Sequence, residues 1–341
     1  MNEDFAMKKV LVTGAAGFIG AFLCKRLLQE EDVEVLGVDN LSDYYDVTLK
    51  ESRLDMLSEA DQNHRFRFVK ADLTDWPAIE NIFKEFQPSV VVNLAAQAGV
   101  RYSIENPRAY IESNVVGFLN ILEACRHFPV DHLIYASSSS VYGDGNTVPY
   151  SVEDKTDSPV SLYAATKKSN ELMAYAYSKL YDIPATGLRF FTVYGPMGRP
   201  DMAYFKFANK IVRREPIEIY NMGAMERDFT FIDDIVQSIT LLLGLLPEGG
   251  IGEARHRVYN IGNSHPVLLL EFVELLERLL IEEGVVDSAT EHILLPMQPG
   301  DVHKTYASTE DLEMAIGYAP STDLAKGLKE FVVWYKEFYG L

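Results

Sequence analysis

The chain has little cysteine, little positive charge and no long apolar run. Of its 341 residues only two are cysteines, Cys24 and Cys125, far apart in sequence. They form no CxxC pair and no Cys/His cluster, which argues against a zinc site, so no metal is expected. Two thiols suit a reducing cytoplasm and the packing of a core. Basic residues number 31 against 50 acidic ones, a formal net charge of −19. That argues against a general electrostatic grip on nucleic acid, which needs a basic face. The most apolar stretch, Ile239 to Leu246, is too short to span a bilayer as a helix. Residues 1–9 hold no apolar run that could serve as a signal peptide. A soluble cytoplasmic protein is expected, without nucleic-acid or membrane partners.

What is present is ordinary for a globular protein: 48% hydrophobic and 24% charged residues, over a length that suggests two domains. Short apolar runs at Val10–Val12, Val33–Val38, Phe66–Val69, Val90–Leu94, His132–Ala136 and Thr186–Phe190 read as strands. Helical patterns lie between them, the longest at Ala109–Arg126 and Tyr163–Tyr181. The apolar strands lack a period of two, which predicts an α/β fold with a doubly wound parallel sheet covered on both faces. After Thr192 the pattern loosens, with Gly and Pro dense from Gly195 to Pro200. The expectation is a Rossmann-type domain over residues 1–191 and a smaller α/β substrate domain over 192–341. Some later segments are expected to return to the large sheet.

Thr13-Gly14-Ala15-Ala16-Gly17-Phe18-Ile19-Gly20 sets G-x-x-G-x-x-G between a strand and a helix. Glycines there permit a tight turn and close approach of backbone to a pyrophosphate, and the helix N-terminus supplies oriented N–H groups. Gly14, Gly17, Phe18, Ile19 and Gly20 are therefore cofactor candidates. Asp39, with Asn40 after it, ends the second strand about 20 residues on, where an acid binds the adenosine ribose and repels a 2′-phosphate. NAD is thus favoured over NADP. Asp72-Leu73 and Asn93-Leu94-Ala95-Ala96 end the third and fourth strands, where a parallel sheet binds ligands. A lone Asp at any of these places could be a cap or turn former; the four together are hard to explain that way.

Tyr163-Ala-Ala-Thr-Lys167 opens a helix with the two side chains at i and i+4, on one face. A free phenol titrates near pH 10, and an adjacent ammonium lowers it toward use as a base. The strand at His132–Ala136 runs into Ser137-Ser138-Ser139-Ser140-Val141-Tyr142-Gly143. Those hydroxyls suit a sugar hydroxyl, although a plain serine-rich turn explains them equally well.

Together these motifs resemble the extended short-chain dehydrogenase/reductases that act on nucleotide sugars, from Lys9 to about Ser308. Within that group the chain is most similar to the UDP-glucuronate 4-epimerases. Four stretches carry this: Asn40–Tyr45, Ala95–Arg101, Leu188–Pro196 and Gly198-Arg199-Pro200-Asp201-Met202-Ala203. The resemblance implies Ser138, Tyr163 and Lys167 as catalytic residues. It implies bound NAD on the residues above and on Asn114, Tyr163 and Lys167. It also implies a UDP-sugar contacted by Arg101, Ser139, Ser140, Thr192, Arg199, Arg227 and Asp301. A homodimer through a four-helix bundle of the two long helices is implied as well. Gln298 stands close to where UDP-galactose 4-epimerases have an arginine, which puts one phosphate contact in doubt.

The family's dehydratases carry an Asp-Glu pair after the catalytic Thr, and its decarboxylases a Glu before the valine. Ser139 and Ser140 stand in those places, and serine is a poor acid or base. C4 epimerisation through a 4-keto sugar is the path that remains. Arg199 with Thr192 is the expected clamp for a sugar carboxylate, since Arg grips carboxylates bidentately; Arg101 is a weaker candidate. Arg199 could instead make an ordinary loop ion pair. Two other readings stay open: a UDP-glucose or UDP-N-acetylglucosamine 4-epimerase, and a non-catalytic NAD-binding scaffold of the same fold.

Overall fold

The computed structural model describes residues 7–144, 147–249, 252–296 and 303–341. Its elements begin with β1 (Lys8–Thr13), α1 (Phe18–Leu27), β2 (Val33–Asp39), α2 (Val47–Ala60), β3 (Phe66–Lys70), α3 (Trp76–Phe86) and β4 (Val90–Asn93). Two short helices, α4 (Tyr102–Glu105) and α5 (Pro107–Tyr110), lead through a π-helical turn at Ile111–Val116 into α6 (Gly117–His127). Then come β5 (His132–Ser138), a 3-10 turn at Ser139–Tyr142, α7 (Leu162–Tyr181) and β6 (Ala185–Phe190). The rest comprises β7 (Thr192–Tyr194), α8 (Ala203–Val212), β8 (Ile217–Ile219), β9 (Glu226–Phe231), α9 (Ile232–Leu242), β10 (His256–Ile261), β11 (Pro266–Leu268), α10 (Leu269–Glu282), β12 (His292–Leu294), β13 (Lys304–Thr305), α11 (Glu310–Ile316) and α12 (Leu324–Tyr339).

Seven strands form the main sheet in the order β10-β6-β5-β4-β1-β2-β3. The pairs β1–β2, β1–β4, β2–β3 and β4–β5 are all parallel. Val10, Leu11 and Val12 of β1 pair with Val90, Val91 and Val92 of β4, and all six are buried. β-branched residues suit such a strand, since they pack on both faces of the pleat. Leu11, Leu36, Val91 and Leu133 pack with Ile82, Phe83, Phe118 and Ile121 in one cluster. Truncating a wholly buried Phe such as Phe83 costs about 3–5 kcal/mol. Strand order reverses between β1 and β4, the switch point at which such sheets open a ligand crevice. Thr13 and Asn93 end those two strands, and the Thr13 hydroxyl donates to Asn93 Oδ1 at 2.7 Å.

The chain divides into two compact units. One comprises residues 1–143, 156–189 and 236–259, the other 144–155, 190–235 and 260–341. In the second, β9 pairs with β7, β11 and β13. Asp228 of β9 accepts from the backbone N–H groups of Asn263, Ser264 and Ala307. Burial raises its carboxyl above the ordinary value, against those three bonds. Among the described residues no helix is long and apolar enough to cross a membrane, and no group of three His, Cys, Asp or Glu could hold a metal.

Candidate active site

The glycine turn fits a dinucleotide on its own geometry. Gly14 sits at φ +71°, and a Cβ there would lie 2.8 Å from the Ala95 nitrogen. A Cβ on Gly20 would lie 2.1 Å from the Gly14 carbonyl oxygen. Only bare backbone lets α1 start this close to the ends of β1 and β4. Gly17 is the N-cap of α1 and brings no side-chain acceptor, so the first N–H groups of the helix are suited to an anion. Phe18 is buried edge-on to Phe22 and Ile19 is half-buried.

Asp39 ends β2 and is buried. Its Oδ2 accepts from the Ala16 N–H at 3.2 Å and its Oδ1 from the Leu41 N–H at 2.8 Å. Asn40 donates to Asp72 Oδ2 at 2.8 Å. Burial would raise the Asp72 carboxyl, but bonds from Thr74 and Asn40 outweigh it and hold it below the usual value. Leu73 is buried, and its carbonyl accepts from Asn120 at 2.7 Å. Leu94, Ala95 and Ala96 are half-buried beyond β4, with the Ala95 N–H on Thr13 Oγ1.

Asn114 lies in the π-helical turn, a feature that often marks functional positions. Its amide bonds the N–H and carbonyl of Gln97 at 2.7 and 2.9 Å, and Thr166 Oγ1 at 3.0 Å. It thus ties the loop after β4 to α7.

Tyr163 and Lys167 lie in the first turns of α7, whose N-cap, Ser161, accepts from the Ala164 N–H at 3.1 Å. Tyr163 is half-buried and meets Tyr110 edge-on, ring centroids 6.0 Å apart. Tyr110 is itself fixed, its hydroxyl donating to the carbonyls of Ala98 and Gly99. Lys167 is buried, and its Nζ donates to the Ala136 carbonyl at 2.9 Å. Two residues on, Ser138 caps the 3-10 turn, accepting from the N–H and hydroxyl of Ser140 at 3.2 and 2.9 Å. Ser138, Ser139 and Ser140 are all half-buried. The first unit thus ties the helix carrying Tyr163 and Lys167 to the strand that ends in the serines. Arg101 stands exposed just before α4.

In the second unit, Thr192 opens β7 opposite Phe229. Arg199 grips Asp201 bidentately, with Nε on Oδ1 at 3.0 Å and Nη2 on Oδ2. The loop ion pair weighed against a clamp is therefore present, and it engages one edge of the guanidinium. Arg227 donates to the carbonyls of Glu226 and His303 at 2.9 and 3.3 Å. Asp301 lies outside the described residues, as does Gln298.

Comparison with known proteins agrees with this geometry. Residues 10–262 match the NAD dependent epimerase/dehydratase family. The chain belongs to that family. It is 52% identical over 342 residues to Protein CapI of Staphylococcus aureus, covering 97% of this chain and 99% of that one. It is 45% identical over 343 residues to the probable UDP-glucuronate 4-epimerase of Rhizobium meliloti, covering 97% and 98%. Among solved structures it resembles UDP-glucuronic acid 4-epimerase from Bacillus cereus in complex with UDP-glucuronic acid and NAD. There the TM-score is 0.86 and the identity 32%, over 97% of this chain and 100% of that one.

Some groups around this family's site escaped the sequence motifs. Lys50 and Arg53 on α2 are both buried. Lys50 Nζ lies 3.8 Å from Asp39 Oδ1, and Arg53 donates to the Ala16 carbonyl at 2.9 Å. Both flank the Tyr45 ring. Their i, i+3 spacing is the one sequence signal they leave. Glu171, one turn beyond Lys167, is buried in a bidentate pair with Arg189.

Proposed function

We propose that this protein is a UDP-glucuronate 4-epimerase, interconverting UDP-glucuronate and UDP-galacturonate with bound NAD. What carries the reading is likeness along the full chain to relatives so named, joined to a β5 end that offers Ser138, Ser139 and Ser140 and no carboxylate. Gly14, Gly17 and the start of α1 would hold the pyrophosphate, Asp39 with Asn40 the adenosine ribose, and Asp72-Leu73 the adenine. Leu94, Ala95 and Ala96 would line the turn beside them. NAD, when bound, would supply the acceptor for hydride from C4 of the sugar and the donor for its return. Tyr163 takes the O4 proton on its phenolate oxygen and later returns it. Lys167 keeps its ammonium one helical turn away on the same face and favours the phenolate. Ser138 hydrogen-bonds the sugar hydroxyl, with Ser139 and Ser140 as further contacts. Ser139 and Ser140 stand where the family's dehydratases carry an Asp-Glu pair, and serine is a poor base for a proton on C5. Asn114 braces the Gln97 loop against α7. Arg227 and Asp301 are read as contacts to the nucleotide part of the substrate, and Arg101 as the weaker candidate for its carboxylate.

Arg199 with Thr192 is proposed to clamp the sugar carboxylate. Asp201 engages the Nε/Nη2 edge, so a substrate carboxylate would share the guanidinium with Asp201 or displace it. That same pair favours a second reading, a 4-epimerase for a neutral UDP-hexose, because Asp201 already balances the Arg199 charge. Parallel kinetics on UDP-glucuronate and UDP-glucose separate the two. Arg199→Ala is expected to lower kcat/KM on UDP-glucuronate about 100-fold, in the range for losing one partner of a hydrogen-bonded charge pair. Unchanged kinetics would remove Arg199 from the site, and faster turnover of UDP-glucose would favour the second reading.

The reading includes a homodimer through the 107–127 helical stretch and α7. Its support is the exposed apolar set Ile111, Val116, Leu119, Leu172 and Tyr175 on those helices. A cytoplasmic location belongs to it too, supported by the unpaired thiols Cys24 and Cys125, since disulfides are rare in a reducing compartment.

A further inference from the structure

Behind the serine-rich strand end lies a buried polar network that the proposed chemistry does not use. Glu171 of α7 accepts from the Ser137 hydroxyl at 2.7 Å and from Arg189 at 2.8 and 2.9 Å. Arg189, at the end of β6, also donates to the Tyr142 hydroxyl at 3.0 Å and lies over the Tyr142 ring. Lys168 approaches Glu171 Oε2 at 3.3 Å. Glu171 and Arg189 are each only 4% exposed. Burial alone would raise the Glu171 carboxyl; Arg189 and Ser137 reverse this and hold it below its ordinary value.

A buried ion pair is weak evidence for stability, because well-packed apolar residues often replace one without loss. Its placement is what matters here. Glu171 follows Tyr163 and Lys167 at intervals of four residues on one face of α7. Lys167 bonds the Ala136 carbonyl and Glu171 bonds the Ser137 side chain, so two consecutive residues of β5 are pinned to α7 just before Ser138. Side chains alternate along a strand, so fixing Ser137 sets the direction from which Ser138 projects. Through Arg189 and Tyr142 the same carboxylate anchors the end of β6 and the turn that carries Ser139 and Ser140.

We propose that Glu171 is a positioning residue that, through Ser137 and Arg189, holds the Ser138 hydroxyl in register with Tyr163 and Lys167. The proposal rests on the function given above. Misplacement of a reacting group by about 1 Å can cost up to about 100-fold in rate, so loss of one pin is expected to act on turnover rather than on binding. The test is Ser137→Ala in the NAD-bound protein, set against Ser178→Ala. Ser178 is equally buried on α7, and its hydroxyl has no hydrogen-bond partner among the described residues. The readouts are kcat and KM for UDP-glucuronate, NAD content and the unfolding midpoint. Ser137→Ala is expected to lower kcat about tenfold with KM and NAD content unchanged, while Ser178→Ala matches the unaltered protein. Glu171→Gln, where it folds, is expected to lower kcat further. Equal kcat for the two serine variants would overturn the proposal. So would a loss in Ser137→Ala that merely follows a lower midpoint and a raised KM. An unaltered protein inactive on every UDP-hexose would instead defeat the functional reading, and this proposal with it.

Discussion

His132 and His256 give the protein a pH dependence that lies outside the site. Each is pushed down to about 4 by burial, against the Leu243 backbone at His132 and the Glu171 carboxylate at His256, with nearby cations adding to the fall. His132 bonds Thr186 and His256 bonds Tyr135, both at 2.8 Å. The unfolded chain protonates them near pH 6.5, while the folded chain resists until about pH 4. Stability is therefore full above the unfolded value and falls as pH drops through this window, by roughly 1–2 kcal/mol per histidine between pH 7 and 5. Thermal unfolding across that range should show the midpoint falling with acid, and His256→Gln should flatten the slope. A midpoint flat from pH 7 to 5 in the unaltered protein would refute this. Gly14, Asp39, Ser138, Tyr163 and Lys167 were legible as candidates because each sits in a local motif at a strand end or helix start. Glu171, Lys50 and Arg53 were not, because no local pattern reports that they are buried against Ser137 and Arg189, Asp39, and the Ala16 carbonyl. Asp201 stood within a quoted motif, yet its grip on Arg199 depends on a loop conformation that no pattern reports.

Among the elements, the β1–turn–α1 unit is the most tightly specified. Gly20→Ala would force its methyl into the Gly14 carbonyl, 2.1 Å away. It should cost about 1–3 kcal/mol or more and strip NAD from the protein on gel filtration. Gly244, where an added Cβ meets nothing within 4 Å, is the control: Gly244→Ala should leave NAD content unchanged. Retention of NAD by Gly20→Ala would contradict the close-approach argument. The parallel sheet was readable because its strands are continuous apolar runs between helices, and their ends agree closely with expectation. The helix expected over Ala109–Arg126 is instead α5, the π-helical turn and α6. A π turn leaves the hydrophobic pattern almost unchanged, and here it coincides with Asn114 and its bonds to Gln97. In the second unit β7, β8, β11, β12 and β13 are two or three residues long, too short to set a period.

For the whole molecule, the exposed apolar set on the 107–127 stretch and α7 predicts assembly. Ile111→Asp combined with Leu172→Asp should abolish the proposed dimer and leave a monomer in sedimentation. An unaltered protein that sediments as a monomer at micromolar concentration would contradict the interface. The division into units was hard to read because the chain crosses between them more than once. Residues 144–155 leave the first unit early and 236–259 come back to it, and the second crossing falls inside α9, where no turn residue marks it. In the proposed reaction hydride leaves C4 of the sugar and returns to the same carbon. Its most direct test uses UDP-glucuronate deuterated at C4, with the sugar signals followed by NMR. UDP-galacturonate with deuterium still on C4 is the expected product; washout of that label into water, or a pentose product, would overturn the mechanism.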